Sequence, residues 1–238
     1  MRTIVWFSCG ACSTVALERA LKKYDNVIPV YCFVGRDEFS GEHPDNDRYS
    51  ADVEKLFGVK IIRLQSKEYA SPHDVYLRTR WINGERGARC TVELKKKLRF
   101  EFQQADDIQI FGYADDERPR QERFNKSFPE VTTDFILNDE GLSKAQCKGL
   151  VWKWGLTLPI MYQQGYNNNN CIGCVKGGKG YWNKIRVDYP DTFNKMAEIE
   201  REVGASCIRE VYLDELDPKA GNHKTEDITC DFICQGVQ

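Results

Sequence analysis

Apolar positions in the first half of the chain come in short blocks with polar or glycine-containing breaks between them. Thr3–Phe7 is a run of β-branched and aromatic residues, the pattern of a buried strand, and it stops at Ser8-Cys9-Gly10. From Ser13 onward Val15, Ala16, Leu17, Ala20 and Leu21 recur at helical spacing, with Ser13 or Thr14 near the helix N-terminus. Residues 27–34 predict a second strand, 42–47 a polar turn, 48–57 a helix closed by Gly58, and 59–64 a third strand. Residues 90–104 read as helical, and Ile108–Phe111 as a further strand running into Gly112-Tyr113. Strands alternating with helices argue for a parallel sheet with crossover helices.

The second half changes character. Ser143 and Gln146 form a capping box for a helix reaching Trp154. A loop over 155–179 follows, with Pro159, four consecutive asparagines and Cys171-Ile172-Gly173-Cys174. Helical segments are predicted near 182–188 and 191–203, separated by Pro190, with Tyr181 and Trp182 packing over the loop. The tail is polar from about Leu216 and carries Cys230 and Cys234. The expected fold is α/β, a doubly wound and mostly parallel sheet of about five strands. Residues 1–140 would form its core, and 141–238 a cysteine-rich C-terminal subdomain of helices and loops packed on that core.

Composition narrows the chemistry. The 238 residues suffice for a substantial core, and a net charge of −2 gives no global field toward nucleic acid or anionic lipid. Lys95-Lys96-Lys97 with Arg99 is the densest basic run, ordinarily a solvated helix face. No run of about 20 apolar residues and no secretion signal is visible, so a cytoplasmic protein without membrane partners is expected. Ten cysteines in such a chain point to metal or thiol chemistry rather than disulfides.

Two stretches carry that chemistry. A strand, a glycine turn and a helix N-terminus make an anion site at residues 8–14, where backbone N–H groups and the hydroxyls of Ser8, Ser13 and Thr14 converge; the plainer reading is an ordinary first turn of an α/β sheet. Cys171-x-x-Cys174 lets two thiolates reach one metal, with Gly173 permitting the turn; alone it is half a site or a redox dithiol. Cys147, on the helix before the loop, is the preferred further ligand over Cys207, Cys230 and Cys234. Cys32 falls within a strand and reads as core. Of three histidines, His43 falls in a motif-like place, while His73 and His223 read as surface residues.

The segment Phe7-Ser8-Cys9-Gly10-Ala11-Cys12-Ser13-Thr14 resembles the PP-loop of adenine nucleotide α-hydrolases and phosphoadenosine-phosphosulfate (PAPS) reductases, usually S-G-G-K-D-S. Ser8, Gly10 and Ser13 match; Cys9, Ala11 and Cys12 depart, removing the Lys and Asp expected to handle pyrophosphate and Mg²⁺. That departure suits nucleotide binding without α–β phosphate cleavage. The resemblance extends to Glu42-His43-Pro44, to Arg89-Cys90-Thr91 with Lys95, to the stretch Gly112-Tyr113-Ala114-Asp115-Asp116-Glu117-Arg118-Pro119-Arg120, and to Tyr162 through Cys174. It implies an adenine nucleotide or sulfonucleotide held by Ser8, Gly10, Ser13, Thr14, Glu42, Lys95, Gly112, Glu117, Arg118 and Arg120. It also implies a [4Fe–4S] cluster, with zinc the alternative, on Cys90, Cys171 and Cys174, with Cys147 fourth. Cys230 and Cys234 are the candidate catalytic thiols, by loose similarity to the family's mobile C-terminal cysteine, and a thiol or protein would donate electrons. Sulfur transfer or nucleic-acid modification within the superfamily, and a metal-stapled module without catalysis, are the rival readings. Nucleic acid as a partner and self-association stay open.

Overall fold

A computed structural model describes residues 1–84 and 87–223. Five strands form one all-parallel sheet, β1 Thr3–Phe7, β2 Val27–Phe33, β3 Ile62–Gln65, β4 Ile108–Phe111 and β5 Thr133–Asp134, in the order β3-β2-β1-β4-β5. The order reverses beside β1: the chain first steps outward through β2 and β3, then returns to place β4 on the other flank of β1. Such a reversal opens a crevice at the carboxyl ends of β1 and β4, where open α/β sheets bind ligands. The α/β reading with a doubly wound parallel sheet of five strands is correct.

Among the described residues eleven α-helices accompany the sheet: α1 Ala11–Lys23, α2 Asp45–Phe57, α3 Pro72–Thr79, α4 Arg89–Thr91, α5 Lys97–Phe102, α6 Arg118–Ser127, α7 Ile136–Asp139, α8 Lys144–Lys153, α9 Ile160–Gln163, α10 Lys179–Asp188 and α11 Pro190–Val203. The periodicity placed α1, α2 and α8 well. Gly58 ends α2 at φ 64°, and Ser143 caps α8 by accepting from the Gln146 N–H while the Gln146 side chain accepts from Ser143 N–H. The expected helix over 90–104 is present with a difference: Val92–Lys96, between α4 and α5, is π-helical. Pro190 does not separate two helices by itself but opens α11 at its first turn, where its missing N–H leaves no donor unpaired.

Among the described residues there are three apolar cores, a small one of Phe111, Phe124 and Phe135 and two larger ones. One gathers Val5, Phe7, Val15, Leu17, Ile110, Leu137 and Val151 beneath α1 and α8; the other gathers Val75, Leu94, Met161, Trp182, Ile185, Met196 and Leu213. Hence the break in packing does not fall at 140/141: α8 belongs to the first core with α1, while α3 and the π segment belong to the second with α10 and α11. No helix among the described residues is long and apolar enough to cross a membrane.

Candidate functional site

β1 delivers the chain into a turn that is closed by its own side chains. The Ser13 hydroxyl accepts from the Ser8 N–H at 3.1 Å and donates to the Gly10 carbonyl at 2.9 Å, and Ser8 Oγ lies 3.2 Å from it. Cys9 adopts φ 54°, the left-handed conformation glycine takes without strain, with its side chain fully buried and its carbonyl accepting from Asn169 Nδ2 at 2.8 Å. Beside the turn, β4 exits through Gly112, where an added Cβ would lie 2.6 Å from Ser13 N; only a glycine lets the β4 exit approach the first turn of α1 this closely.

A cavity of about 280 Å³ opens over this turn. Ser8, Gly10, Ser13, Glu42, Lys95, Gly112, Glu117 and Arg120 line it, together with Cys90, Cys171 and Cys174. Thr14 does not belong with them. It is completely buried, donating to the Gly10 carbonyl at 3.0 Å and sharing a 2.8 Å hydrogen bond with Tyr49, so its hydroxyl stiffens the turn rather than facing a ligand. Arg118 is also absent from the lining: its guanidinium binds Asp115 and the Asn138 carbonyl at 2.7 Å, fastening the start of α6 to α7. Arg120 stays at the cavity, paired with Glu117 at 2.9 Å and lying over the Tyr113 ring.

The opposite wall holds the thiols. Tyr76 donates to Cys90 Sγ at 3.1 Å. Gly173, at φ 70°, turns the C-x-x-C, and Tyr181 clasps it from one hydroxyl, accepting from the Cys174 N–H at 2.9 Å and donating to the Cys171 carbonyl at 3.0 Å. The Ile172 N–H donates to the Gly41 carbonyl at 2.9 Å, stitching this loop to the end of β2. Burial pushes the Cys171 thiol well above its ordinary range against the pull of Lys95, and raises Cys174 as well, whose sulfur accepts from the Lys176 N–H. Glu42, buried and hydrogen-bonded by Asn46, is raised by burial more than Lys95 lowers it. Burial works against the charge on Lys95, but Glu42, Cys171, Cys32 and Cys174 outweigh it, and its pKa is raised. Lys95 is therefore a protonated ammonium between a carboxyl and a thiol cluster.

The π segment explains how one helix reaches both walls. It widens one turn between Cys90 and Lys95, and the freed Lys95 carbonyl lies 3.9 Å from Cys32 Sγ. No sequence rule used above predicts it. His73, expected at the surface, is buried and lines the cavity, 3.4 Å from Asp37. Tyr76, Tyr162 and Asn169 line it too, and were not singled out for such a role.

Cys147 requires a correction. It is fully buried in the core under α1, and its thiol is directed at Cys12, not at the other thiols. The hydrogen bond from Cys147 lowers the Cys12 thiol and, with burial, raises Cys147. The reason is helix packing: α8 lies along α1, and Cys147 is on its inward face. It is not positioned as a fourth ligand. Among the described residues no group of three or more His, Cys, Asp or Glu side chains is arranged to hold a metal ion. Cys230 and Cys234 lie outside the described residues.

Known proteins add one relative. The chain is 26% identical over 219 residues to an uncharacterized protein of Methanocaldococcus jannaschii, an alignment covering 84% of this chain and 41% of that protein. The chain thus spans less than half the length of the relative it matches. No protein-family model matches the sequence. No solved structure matches it either.

Proposed function

We propose that the chain binds an adenine nucleotide or sulfonucleotide over the turn at 8–13 and performs sulfur chemistry at Cys90, Cys171 and Cys174, as a PAPS-reductase-like enzyme. The observation that carries the reading is the single cavity in which the turn, the ammonium of Lys95, the guanidinium of Arg120 and the three thiols face one another. Gly10, the backbone of the first turn of α1 and its dipole favour an anion there, and Lys95 and Arg120 supply positive charge that Ala11 and Cys12 do not.

The donor set fits a metal centre in its chemistry. Soft thiolates suit iron–sulfur clusters or zinc, and buried thiols with raised pKa values favour ionisation only when a positive group joins them. Their arrangement is not that of a formed centre; drawn closer together, Cys90, Cys171 and Cys174 would hold a [4Fe–4S] cluster, which supplies electron transfer or a position for a sulfur atom. The chain's own residues do the rest. Tyr76 orients Cys90, Tyr181 orients the C-x-x-C, and Lys95 holds a proton and a charge beside the thiols.

Sulfur transfer is the second reading. It is favoured by the cysteines that line the cavity, Cys12 at the turn and Cys90, Cys171 and Cys174 opposite, which put free thiols on both sides of a bound substrate. Anaerobic purification with iron, sulfide and zinc analysis, alongside a visible spectrum, tests both. Iron and sulfide with a broad thiolate-to-iron band, lost in Cys171→Ser, is the expected result. Zinc without a visible band would remove the cluster.

A further inference from the structure

A second and larger cavity, about 480 Å³, lies across Lys95 from the first, between the sheet and α5 and α6. Its lining carries six cations, Lys95, Lys96, Arg99, Arg120, Arg123 and Lys176, and no Asp or Glu among the described residues. Trp6, Phe111, Tyr113, Phe124 and Phe128 form much of the remaining wall.

Arg99 sets this cavity apart. Its guanidinium sits 4.7 Å from the centroid of Phe100, 5.1 Å from Phe124, 5.1 Å from Phe128 and 5.7 Å from Phe111. The rings satisfy the faces of the guanidinium. Its edges are another matter: Nε and Nη2 are buried without a hydrogen-bond partner, and no carboxylate among the described residues pairs with it. Neighbouring cations are neutralised, Arg89 and Lys97 by Glu93, Arg118 by Asp115, Arg120 by Glu117. A partly buried cation whose edge atoms lack a counter-charge is unfavourable, and burial does lower the pKa of this one. The missing partner is an anion, and a guanidinium suits the oxygens of a phosphoryl group. Lys96, exposed and without an ion pair among the described residues, and Arg123 on α6 add charge at the same cavity.

We propose that this cavity is a second ligand site, for a phosphate ester joined to a planar aromatic group, the chemistry of a mononucleotide. Arg99, Lys96 and Arg123 take the phosphate, and the aromatic wall takes the ring. Its volume lies in the range of small-molecule pockets. Because the two cavities share Ser8, Ser13, Lys95, Gly112 and Arg120, a molecule here faces whatever occupies the thiol-walled side. The site stands on Arg99 and its surroundings and is independent of the chemistry assigned to the cysteines.

Calorimetric titration of the full chain with adenosine 5′-monophosphate, adenosine and inorganic phosphate tests it. The expected result is a binding event that Arg99→Met weakens about tenfold or more and that Gly10→Ala, at a position lining only the thiol-walled cavity, leaves intact. Adenosine and phosphate should each bind that site more weakly than the nucleotide. Lys96→Gln with Arg123→Gln, both exposed positions, gives the same direction without touching the core and covers the case in which Arg99→Met does not fold. Titrations unchanged by either set overturn the proposal, as does phosphate binding as tightly as the nucleotide. Loss in Gly10→Ala alone would overturn the proposal and place the only nucleotide at the turn. Loss in the Arg99 set alone would remove the nucleotide from the turn and keep this second site.

Discussion

Two stretches wall the thiol cavity, and they are held by opposite means. The turn at 8–13 closes on itself through side-chain hydrogen bonds between residues at most five apart, Ser8 to Ser13 and Ser13 to Gly10, and adds longer ones from Cys9 to the Asn46 carbonyl, from the Ala11 N–H to Tyr162 and from Asn169 to the Cys9 carbonyl. The C-x-x-C loop makes almost none of its own. It hangs from Cys9 through Asn169, from Gly41 through Ile172, from Val175 to Asn83, and from Tyr181 on α10. A locally closed turn persists wherever its strand and helix pack. A loop held from four directions keeps its shape only while the second core is assembled.

The contrast can be broken most forcefully at the point where the turn meets β4. Gly112→Val should cost at least about 3 kcal/mol, since its side chain would press on Ser13 N and Cα at 2.6 and 2.7 Å; urea denaturation should give a lower midpoint and, with so much lost, poor expression. Next comes the loop. Gly173→Val meets both a positive φ and a Cβ contact of 2.7 Å with Thr192, and should cost about 2 kcal/mol. Alkylation of Cys171 and Cys174 should accelerate before global unfolding, which mass spectrometry would resolve. Tyr181→Phe removes the clasp and leaves Trp182 and the core in place; about 1–2 kcal/mol is expected, read as faster alkylation with a modest drop in Tm.

A pH experiment sharpens the comparison from outside both walls. Burial disfavours the Asp107 carboxylate, but two hydrogen bonds from Arg2, at 2.7 and 2.8 Å, and the Gln104 N–H outweigh it and hold its pKa below the ordinary 3.8. The stabilisation is therefore complete above that ordinary value and is lost as pH falls through the depressed one. Asp107→Asn should flatten the acid limb of stability below pH 3.8 and leave cysteine alkylation at neutral pH unchanged. Smallest of all is Thr14→Val, which should cost about 1 kcal/mol through lost hydrogen bonds to Gly10 and Tyr49 and should not alter nucleotide affinity.

The same contrast decides what could be read from the sequence. β1, α1, β2 and β4 are legible because each is a local block of apolar residues with one period, ended by Gly10, by Tyr24 or by Gly112. α8 is legible from a capping box four residues long. By contrast, α6 buries Phe124 alone, so its charged sequence has no apolar stripe to read. β5 is two residues long and pairs only along β4. Cys171 and Cys174 were singled out by their spacing and Cys90 by resemblance, and their gathering on one wall depends on contacts across some eighty residues. Cys147 was misplaced because proximity in sequence stood in for proximity in space, whereas α8 turns that side chain toward Cys12. His73 was read as solvated because a single histidine after a proline carries no sign of the Asp37 beside it.

The π segment between α4 and α5 acts as a fixed offset of one residue in an otherwise regular screw. Each residue of a helix turns the next by about 100°. Deleting one residue from Val92–Lys96 would restore an ordinary screw and rotate everything after it relative to Cys90. Lys95 and Arg99 would then leave their cavities together, although neither had been changed. The two chambers are clocked to each other through a single surplus residue, so a length change there is more damaging than most changes of identity.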